Sequence, residues 1–308
     1  MRIVSFFPNP LPAPLAQGLS GIAEVVFWSE LTEEQKQSLQ DVQIVVTSPT
    51  VKMDKALFDL LPNLKMAASL GVGFDKVDLE EVKRRGIVFA NSPTATSDDV
   101  ADFAWALLCA LSRQIPQAFD HAREKLRTFS GFPLSRRITG KKLGVAGLGH
   151  IGREIARRAE GFKMSIGYTD LKAHEGKYQK FENLTDLARW CDYLVLAMPG
   201  GVSTHHIVSK DVLEALGSEG FLVNIGRGEL IDTNALIEAL KEKRIAGAAI
   251  DVFEGEPAIN PELCGIDNLI ITPHVASSTF EARDSVGEQA LENIQAFLAT
   301  GTAPNKII

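Results

Sequence analysis

The chain has 308 residues, 45% hydrophobic and 23% charged, a composition that excludes a disordered or fibrous protein and leaves room for two domains. Its formal net charge of −7 argues against a surface built for nucleic acid. The three cysteines, Cys109, Cys191 and Cys264, are far apart and form no Cys-x-x-Cys, so buried thiols in a reducing compartment are expected rather than a disulfide or zinc framework.

The first apolar run meets Pro8, Pro10, Pro12 and Pro14 with Arg2 as its only basic side chain, and reads as a strand and loop, not a signal peptide. No segment approaches the ~18 uninterrupted apolar residues of a spanning helix, so a cytoplasmic protein is expected. Candidate strands follow at Arg2–Phe7, Ala23–Trp28, Gln43–Ser48, Leu64–Leu70 and Ile87–Asn91, with helical stretches such as Thr32–Gln40 and Lys55–Leu60 between them. That alternation predicts a parallel sheet wrapped by helices. At Asn91-Ser92-Pro93-Thr94 the rhythm changes. Thr96-x-x-Asp99 makes a capping box, and Val100, Phe103, Ala104, Leu107, Leu108 and Leu111 form an apolar stripe at helical spacing.

Next comes Lys142-Leu143-Gly144-Val145-Ala146-Gly147-Leu148-Gly149-His150-Ile151-Gly152, a buried-strand run that breaks into Gly-x-Gly-x-x-Gly. Ile151, Ile155, Ala156 and Ala159 then recur at helical spacing. Gly147 would make the tight turn, Gly149 would admit a pyrophosphate to the backbone, and Gly152 would let the helix pack close on its strand. The helix N-terminus would face the phosphates. After the run Met164–Tyr168 comes Asp170, within the ~20-residue spacing at which a carboxylate meets the ribose 2′-hydroxyl. Strand, glycine turn, helix, strand and acid stand in the order a dinucleotide site requires.

Further strands are predicted at Tyr193–Met198, Phe221–Ile225, Gly247–Val252 and Leu269–Thr272. Ser278-x-x-Glu281 opens a last helix with Val286, Ala290, Ile294 and Phe297 on one face, able to return the chain to the first domain. The expectation is α/β: two doubly wound parallel-sheet domains, with a Rossmann dinucleotide-binding domain (98–276) inserted into a flavodoxin-like substrate domain (1–97 and 277–308).

In open parallel sheets, ligands bind beyond the carboxyl ends of the strands. Three ionisable residues closely follow predicted strands there: Arg227 after Phe221–Ile225, Glu256 after Gly247–Val252 and His274 after Leu269–Thr272. Taken singly, each reads as a turn or loop residue; their coincidence at the phosphate-loop edge makes one site. A histidine is the natural proton donor near neutral pH, and Glu256 would orient it and favour its imidazolium form. Arg227 offers a planar fork for a carboxylate and can polarise an adjacent carbonyl.

These motifs resemble the D-isomer-specific 2-hydroxyacid dehydrogenase family over nearly the whole chain. The resemblance rests on Asn224-x-x-Arg227-Gly228-x-Leu230-Ile231-Asp232, Asp251-Val252-Phe253-x-x-Glu256-Pro257, Pro273-His274 and the intervals between them. It implies hydride transfer between a nicotinamide cofactor and a 2-keto acid such as hydroxypyruvate or glyoxylate, with Arg227, Glu256 and His274 catalytic. It implies that the amides of Leu70-Gly71-Val72-Gly73 hold the substrate carboxylate, although a strand-end turn explains those glycines equally. It places the His150 and Ile151 amides on the pyrophosphate, Pro199 and Thr204 beside the adenosine half, and Asp251 on the nicotinamide amide. It also implies a homodimer through the nucleotide domain. Asp170 would repel a 2′-phosphate, which favours NAD, with NADP possible through Lys172.

Some features depart from the family pattern. Pro199-Gly200-Gly201-Val202-Ser203-Thr204 replaces a Pro-Leu-Thr opening. Phe129 and Phe132 stand near a position where a tryptophan is common, and Arg136 and Arg137 read as solvated charges. The alternatives are a phosphoglycerate dehydrogenase without a regulatory domain, since the chain ends at Ile308, or a non-enzymatic NAD-sensing, corepressor-like protein. A metal is not expected: His205-His206 is the sole cluster, and adjacent side chains diverge on most backbones.

Overall fold

The computed structural model describes residues 1–124, 131–174 and 176–308; Phe129, singled out above, lies outside them. The chain divides into two compact units, Met1–Ser97 with Ser278–Ile308, and Asp98–Ser277. In chain order the first carries β1 (Arg2–Ser5), α1 (Ala13–Leu19), β2 (Glu24–Phe27), α2 (Glu33–Lys36), β3 (Ile44–Thr47), α3 (Lys55–Asp59), β4 (Met66–Ser69), α4 (Leu79–Arg85) and β5 (Val88–Ala90). The helix α5 (Ser97–Ser112) enters the second unit, followed by α6 (Ile115–Glu124), β6 (Lys142–Ala146), α7 (His150–Gly161), β7 (Ser165–Thr169) and β8 (Gln179–Lys180). Then come α8 (Leu184–Trp190), β9 (Tyr193–Leu196), α9 (Lys210–Leu216), β10 (Phe221–Asn224), α10 (Thr233–Lys241), β11 (Gly247–Ile250) and β12 (Leu269–Ile271), and α11 (Phe280–Thr300) completes the first unit.

In the first unit, five parallel strands lie in the order β2-β1-β3-β4-β5. Alternate residues of its strands feed opposite cores. Ile3, Ile44, Met66 and Val88 pack with Leu15 and Leu19 of α1 and Val286, Ala290 and Ile294 of α11. Val4, Val45, Ala67 and Phe89 pack with Phe58 of α3 and Val82 of α4. Covering both faces is why β3, β4 and β5 are buried at every position and are apolar but for Thr47 and Ser69 at the ends of β3 and β4.

The second unit repeats the plan with seven parallel strands in the order β12-β11-β10-β9-β6-β7-β8. One face packs on α5 and α7 through Leu143, Val145, Val195 and Val223, the other on α8, α9 and α10 through Leu194, Leu196, Leu222 and Ala248. Helix α5 is fastened to α7 by Trp105, whose Nε1 donates to the Ile155 carbonyl at 3.0 Å. Arg158 adds ion pairs to Asp98 and Asp102 at 2.7 and 2.6 Å. The strand order reverses between β6 and β9, the switch point at which such sheets bind ligands.

The structure corrects several details of the sequence reading. The predicted helix Thr32–Gln40 is a single turn, Glu33–Lys36. Thr32 and Gln35 form a capping box there, but Ser38 Oγ donates to the Gln35 carbonyl at 3.1 Å, a local bond that competes with helix continuation. Helix α11 is capped by Thr279, whose side chain accepts from Ala282 N, rather than opened by Ser278. Cys264 is exposed, not buried. Burial pushes the Cys191 thiol up to about 12, which suits an inert packing residue. Among the described residues, no helix is long and apolar enough to cross a membrane.

Candidate active site

The glycine turn lies at the switch point. Gly147 adopts a left-handed φ of +91°, and a Cβ there would come 2.8 Å from the Ala197 carbonyl oxygen. A Cβ on Gly152 would fall 1.9 Å from the Gly147 carbonyl oxygen, so α7 closes against the turn only because that side chain is hydrogen. Gly149 is different: the space its Cβ would take is open. It is the N-cap of α7 and provides no capping side chain. The amides of His150 and Ile151 have no hydrogen-bond partner among the described residues. Free amides, a helix dipole and an open cradle fit a pyrophosphate.

Asp170, just past β7, is already oriented. Its Oδ2 accepts from Leu148 N at 2.7 Å and its Oδ1 from Lys172 N at 3.0 Å. His174 Nε2 stands 3.3 Å from Oδ2. Burial works to raise the pKa, but these donors outweigh it and hold the carboxyl below its ordinary value. A fixed carboxylate of this kind suits a ribose diol.

Arg227, Glu256 and His274 come together at the same edge. Arg227 is set by Asn224, wholly buried at the end of β10, which accepts from Gly226 N at 3.0 Å and donates to the Arg227 carbonyl at 2.9 Å. The Arg227 Nη1 donates to the Gly226 carbonyl at 2.8 Å. The next residue presses on the turn that carries Glu256: a Cβ on Gly228 would lie 2.0 Å from the Phe253 carbonyl carbon. Phe253 N in turn donates to Glu256 Oε1 at 2.9 Å.

His274 Nδ1 meets Glu256 Oε2 at 2.7 Å. Its backbone has a left-handed φ of 55°, held by a bond from His274 N to the Asp251 carbonyl at 2.8 Å. Asp251, 1% exposed, organises the rest of this loop. Its Oδ1 accepts from Thr272 Oγ1 at 2.5 Å and Val275 N at 3.0 Å, and its Oδ2 from Ala276 N at 2.9 Å.

The electrostatics of the pair follow. The Glu256 hydrogen bond raises the His274 pKa above its ordinary value, against burial and the Arg227 charge. Burial would raise Glu256, but His274, Phe253 N and the Arg227 charge lower it on balance. With Nδ1 engaged, Nε2 of a protonated His274 is the nitrogen able to deliver a proton.

Other predicted residues lie elsewhere. Leu70–Gly73 follow β4 in the first unit, where Gly71 accepts from Ser92 N at 3.0 Å and the Val72 carbonyl from Asn91 Nδ2 at 2.8 Å. The amides of Gly71, Val72 and Gly73 have no partner among the described residues, as an anion-binding loop requires. Thr204 Oγ1 donates back to the Pro199 and Gly201 carbonyls at 3.0 and 3.2 Å, closing the atypical loop on itself. Arg136 pairs with Glu219. His205 and His206 do not diverge: their rings stack with centroids 3.9 Å apart. The sequence reading gave no part to Asn224, although it stood in the quoted motif, nor to the His206–Glu254 contact.

Residues 105–276 match the family described as D-isomer specific 2-hydroxyacid dehydrogenase, NAD binding domain. A 2-ketogluconate reductase of Gluconobacter oxydans is 39% identical over 90% of this chain and 89% of its own length. The chain belongs to the D-isomer-specific 2-hydroxyacid dehydrogenase family. A glyoxylate reductase of Thermococcus kodakarensis is 36% identical over all of this chain and 96% of that protein. An NADPH-dependent glyoxylate/hydroxypyruvate reductase of Sinorhizobium meliloti, solved with NADP and malonate, superposes with a TM-score of 0.89 at 35% identity, covering 99% of this chain and 96% of that one. The family places an NAD-binding domain in the second unit, and the glycine turn just described lies within it.

Proposed function

We propose that this protein is an NAD-dependent reductase of small 2-keto acids, of the glyoxylate or hydroxypyruvate class, working on the 2-hydroxy acid in reverse. The observation that carries this reading is the 2.7 Å contact between His274 Nδ1 and Glu256 Oε2, beside Arg227 and at the edge where β6 ends in its glycine turn. The reductase names of the relatives support the substrate class.

In this reading the first unit (1–97 and 277–308) is the substrate domain and 98–276 the dinucleotide-binding domain. The amides of His150 and Ile151, with Gly147, Gly149 and Gly152, hold the pyrophosphate; Asp170 takes the ribose hydroxyls, and Pro199 and Thr204 border the adenosine. The nicotinamide, when bound, supplies a hydride to the carbonyl carbon. Arg227 clamps the substrate carboxylate through its fork and draws charge from the carbonyl oxygen. In the first unit, the amides of Gly71, Val72 and Gly73, unpartnered among the described residues, are suited to a carboxylate, whereas that of Leu70 is spent on the Thr47 carbonyl at 2.9 Å. His274 Nε2 then gives its proton to the forming alkoxide, and Glu256 stabilises the imidazolium until that moment.

Asp251 keeps one lone-pair direction of Oδ2 beyond the Ala276 N bond, which the nicotinamide amide can take. The carboxylate of Asp170 repels a 2′-phosphate, so NADH is the preferred donor. The chain acts as a homodimer: Ile115 and Phe119, a turn apart on α6, are 54% and 59% exposed and offer an apolar face to a second copy. Sedimentation equilibrium decides the dimer.

A panel of 2-keto acids with NADH and NADPH, followed at the nicotinamide absorbance band, tests the function. The expected result is turnover of glyoxylate or hydroxypyruvate with higher kcat/KM for NADH. A strong preference for NADPH would falsify the Asp170 reading, and no turnover of any 2-keto acid would end the reductase one.

A further inference from the structure

Outside the machinery just described, three metal-ligating side chains from two separate loops meet. His205 and His206 lie in the loop between β9 and α9, and Glu254 in the turn after β11. One donor atom from each of the three lies within 4.8 Å of the other two. We propose that His205, His206 and Glu254 bind a divalent transition-metal ion of the zinc class, through one nitrogen of each imidazole and Oε1 of the carboxylate, with solvent completing the coordination.

The backbone is what makes the pair of histidines usable. His206 takes a left-handed φ of 52°, and its N donates to the Glu229 carbonyl at 2.8 Å. That bend overrides the usual divergence of neighbouring side chains and stacks the rings with an interplanar angle of 28°. His205 is exposed, and its ring stacks on that of His206.

The carboxylate is held as metal-binding carboxylates are, through its other oxygen. Glu254 Oε2 accepts from Thr233 Oγ1 and from Thr233 N, the latter at 3.2 Å, leaving Oε1 to His206 Nε2 at 2.6 Å. Burial would raise the Glu254 pKa, but His206 and Thr233 lower it, so the ligand stays ionised. Two imidazoles and one carboxylate are a known donor set for zinc sites with an open position. Zn–N and Zn–O bonds of about 2.0 Å at tetrahedral angles set donors about 3.3 Å from one another, so the 2.6 Å contact of His206 Nε2 with Glu254 Oε1 opens and the His205 ring closes on the pair from within 4.8 Å, by side-chain rotation.

The ion ties the loop after β9 to the N-terminus of α10 and to the turn that carries Glu256. Because binding is read directly, the result stands apart from the reductase reading.

The experiment uses tag-free full-length protein, stripped with a chelator and titrated with Co²⁺ by visible absorption and with Zn²⁺ by calorimetry. One ion per chain is expected, with Zn²⁺ displacing Co²⁺. H205A removes an exposed ring and E254Q keeps an acceptor for Thr233, so both variants fold. Each is expected to weaken binding by more than about tenfold, the loss that even an outer partner of a metal site brings. Saturating Zn²⁺ should raise Tm by about 5 °C in the parent protein and not in the variants. Absence of saturable binding up to millimolar ion, or affinity unchanged in either variant, overturns the proposal.

Discussion

His274 and Glu256 shift in opposite directions, and the consequence for pH can be stated with its sign. His274 gains a proton more readily in the folded chain, so its share of stability is full below the ordinary histidine value and is lost as pH rises through the raised one. Glu256 loses its proton more readily, so its share is present above the ordinary carboxyl value and is lost as pH falls through the lowered one. Between those two pKa values the ion pair is complete. On the proposed reading reduction needs the imidazolium, so kcat/KM for the keto acid should fall on an alkaline limb that lies above the ordinary histidine value. In E256Q that limb should move to lower pH, as a pH–rate profile will show; an unmoved limb means that Glu256 does not tune the acid. H274A should lower kcat by about 10²–10⁴-fold, read by steady-state kinetics.

The turns that carry these three residues were legible because each closely follows an apolar run. The residues that hold them were not. Asp251 spends its carboxylate on Thr272, Val275 and Ala276, and nothing in the linear string shows a contact across that interval. The histidine pair was misread for a related reason: a rule about extended neighbours fails where φ is positive.

At the scale of the element, the glycine turn separates two effects that the motif alone merges. G149A adds a methyl into open space at φ −70°, so the fold should keep its Tm while KM for NADH rises, because the methyl takes the room of the pyrophosphate. G152A drives a carbon to 1.9 Å from the Gly147 carbonyl oxygen, so it should lower both Tm and dinucleotide affinity. Thermal unfolding with and without NADH distinguishes the two. Most strands were readable as apolar runs, but β8 was not. Its two residues, Gln179 and Lys180, are polar and exposed at the sheet edge, where only backbone pairing with β7 defines a strand. The shortened α2 ends in tight backbone bonds from Gln37 N to the Glu34 carbonyl and from Ser38 N to the Gln35 carbonyl, joined by the Ser38 hydroxyl, which pattern and propensity do not weigh.

At the scale of the molecule, each unit has its own pair of cores, one on each face of its sheet. Calorimetry should therefore resolve unfolding that is not two-state, and NADH should raise the transition of the unit containing the glycine turn far more than the other. A single transition shifted as one would show instead that the units unfold together. The insertion was visible in the sequence as two long helical patterns flanking the glycine motif. Strand order was not, since parallel strands carry no mark of their neighbours; only the pairing within each sheet supplies it.

The return of α11 orders events during synthesis. Ile3, Leu15 and Val88 share their core with Val286, Ala290 and Ile294, whereas everything the second unit packs is translated by Ser277. On the ribosome, the inserted half can therefore mature while residues 1–97 still wait for a partner that emerges after it. Those early residues are the stretch most in need of a chaperone's cover.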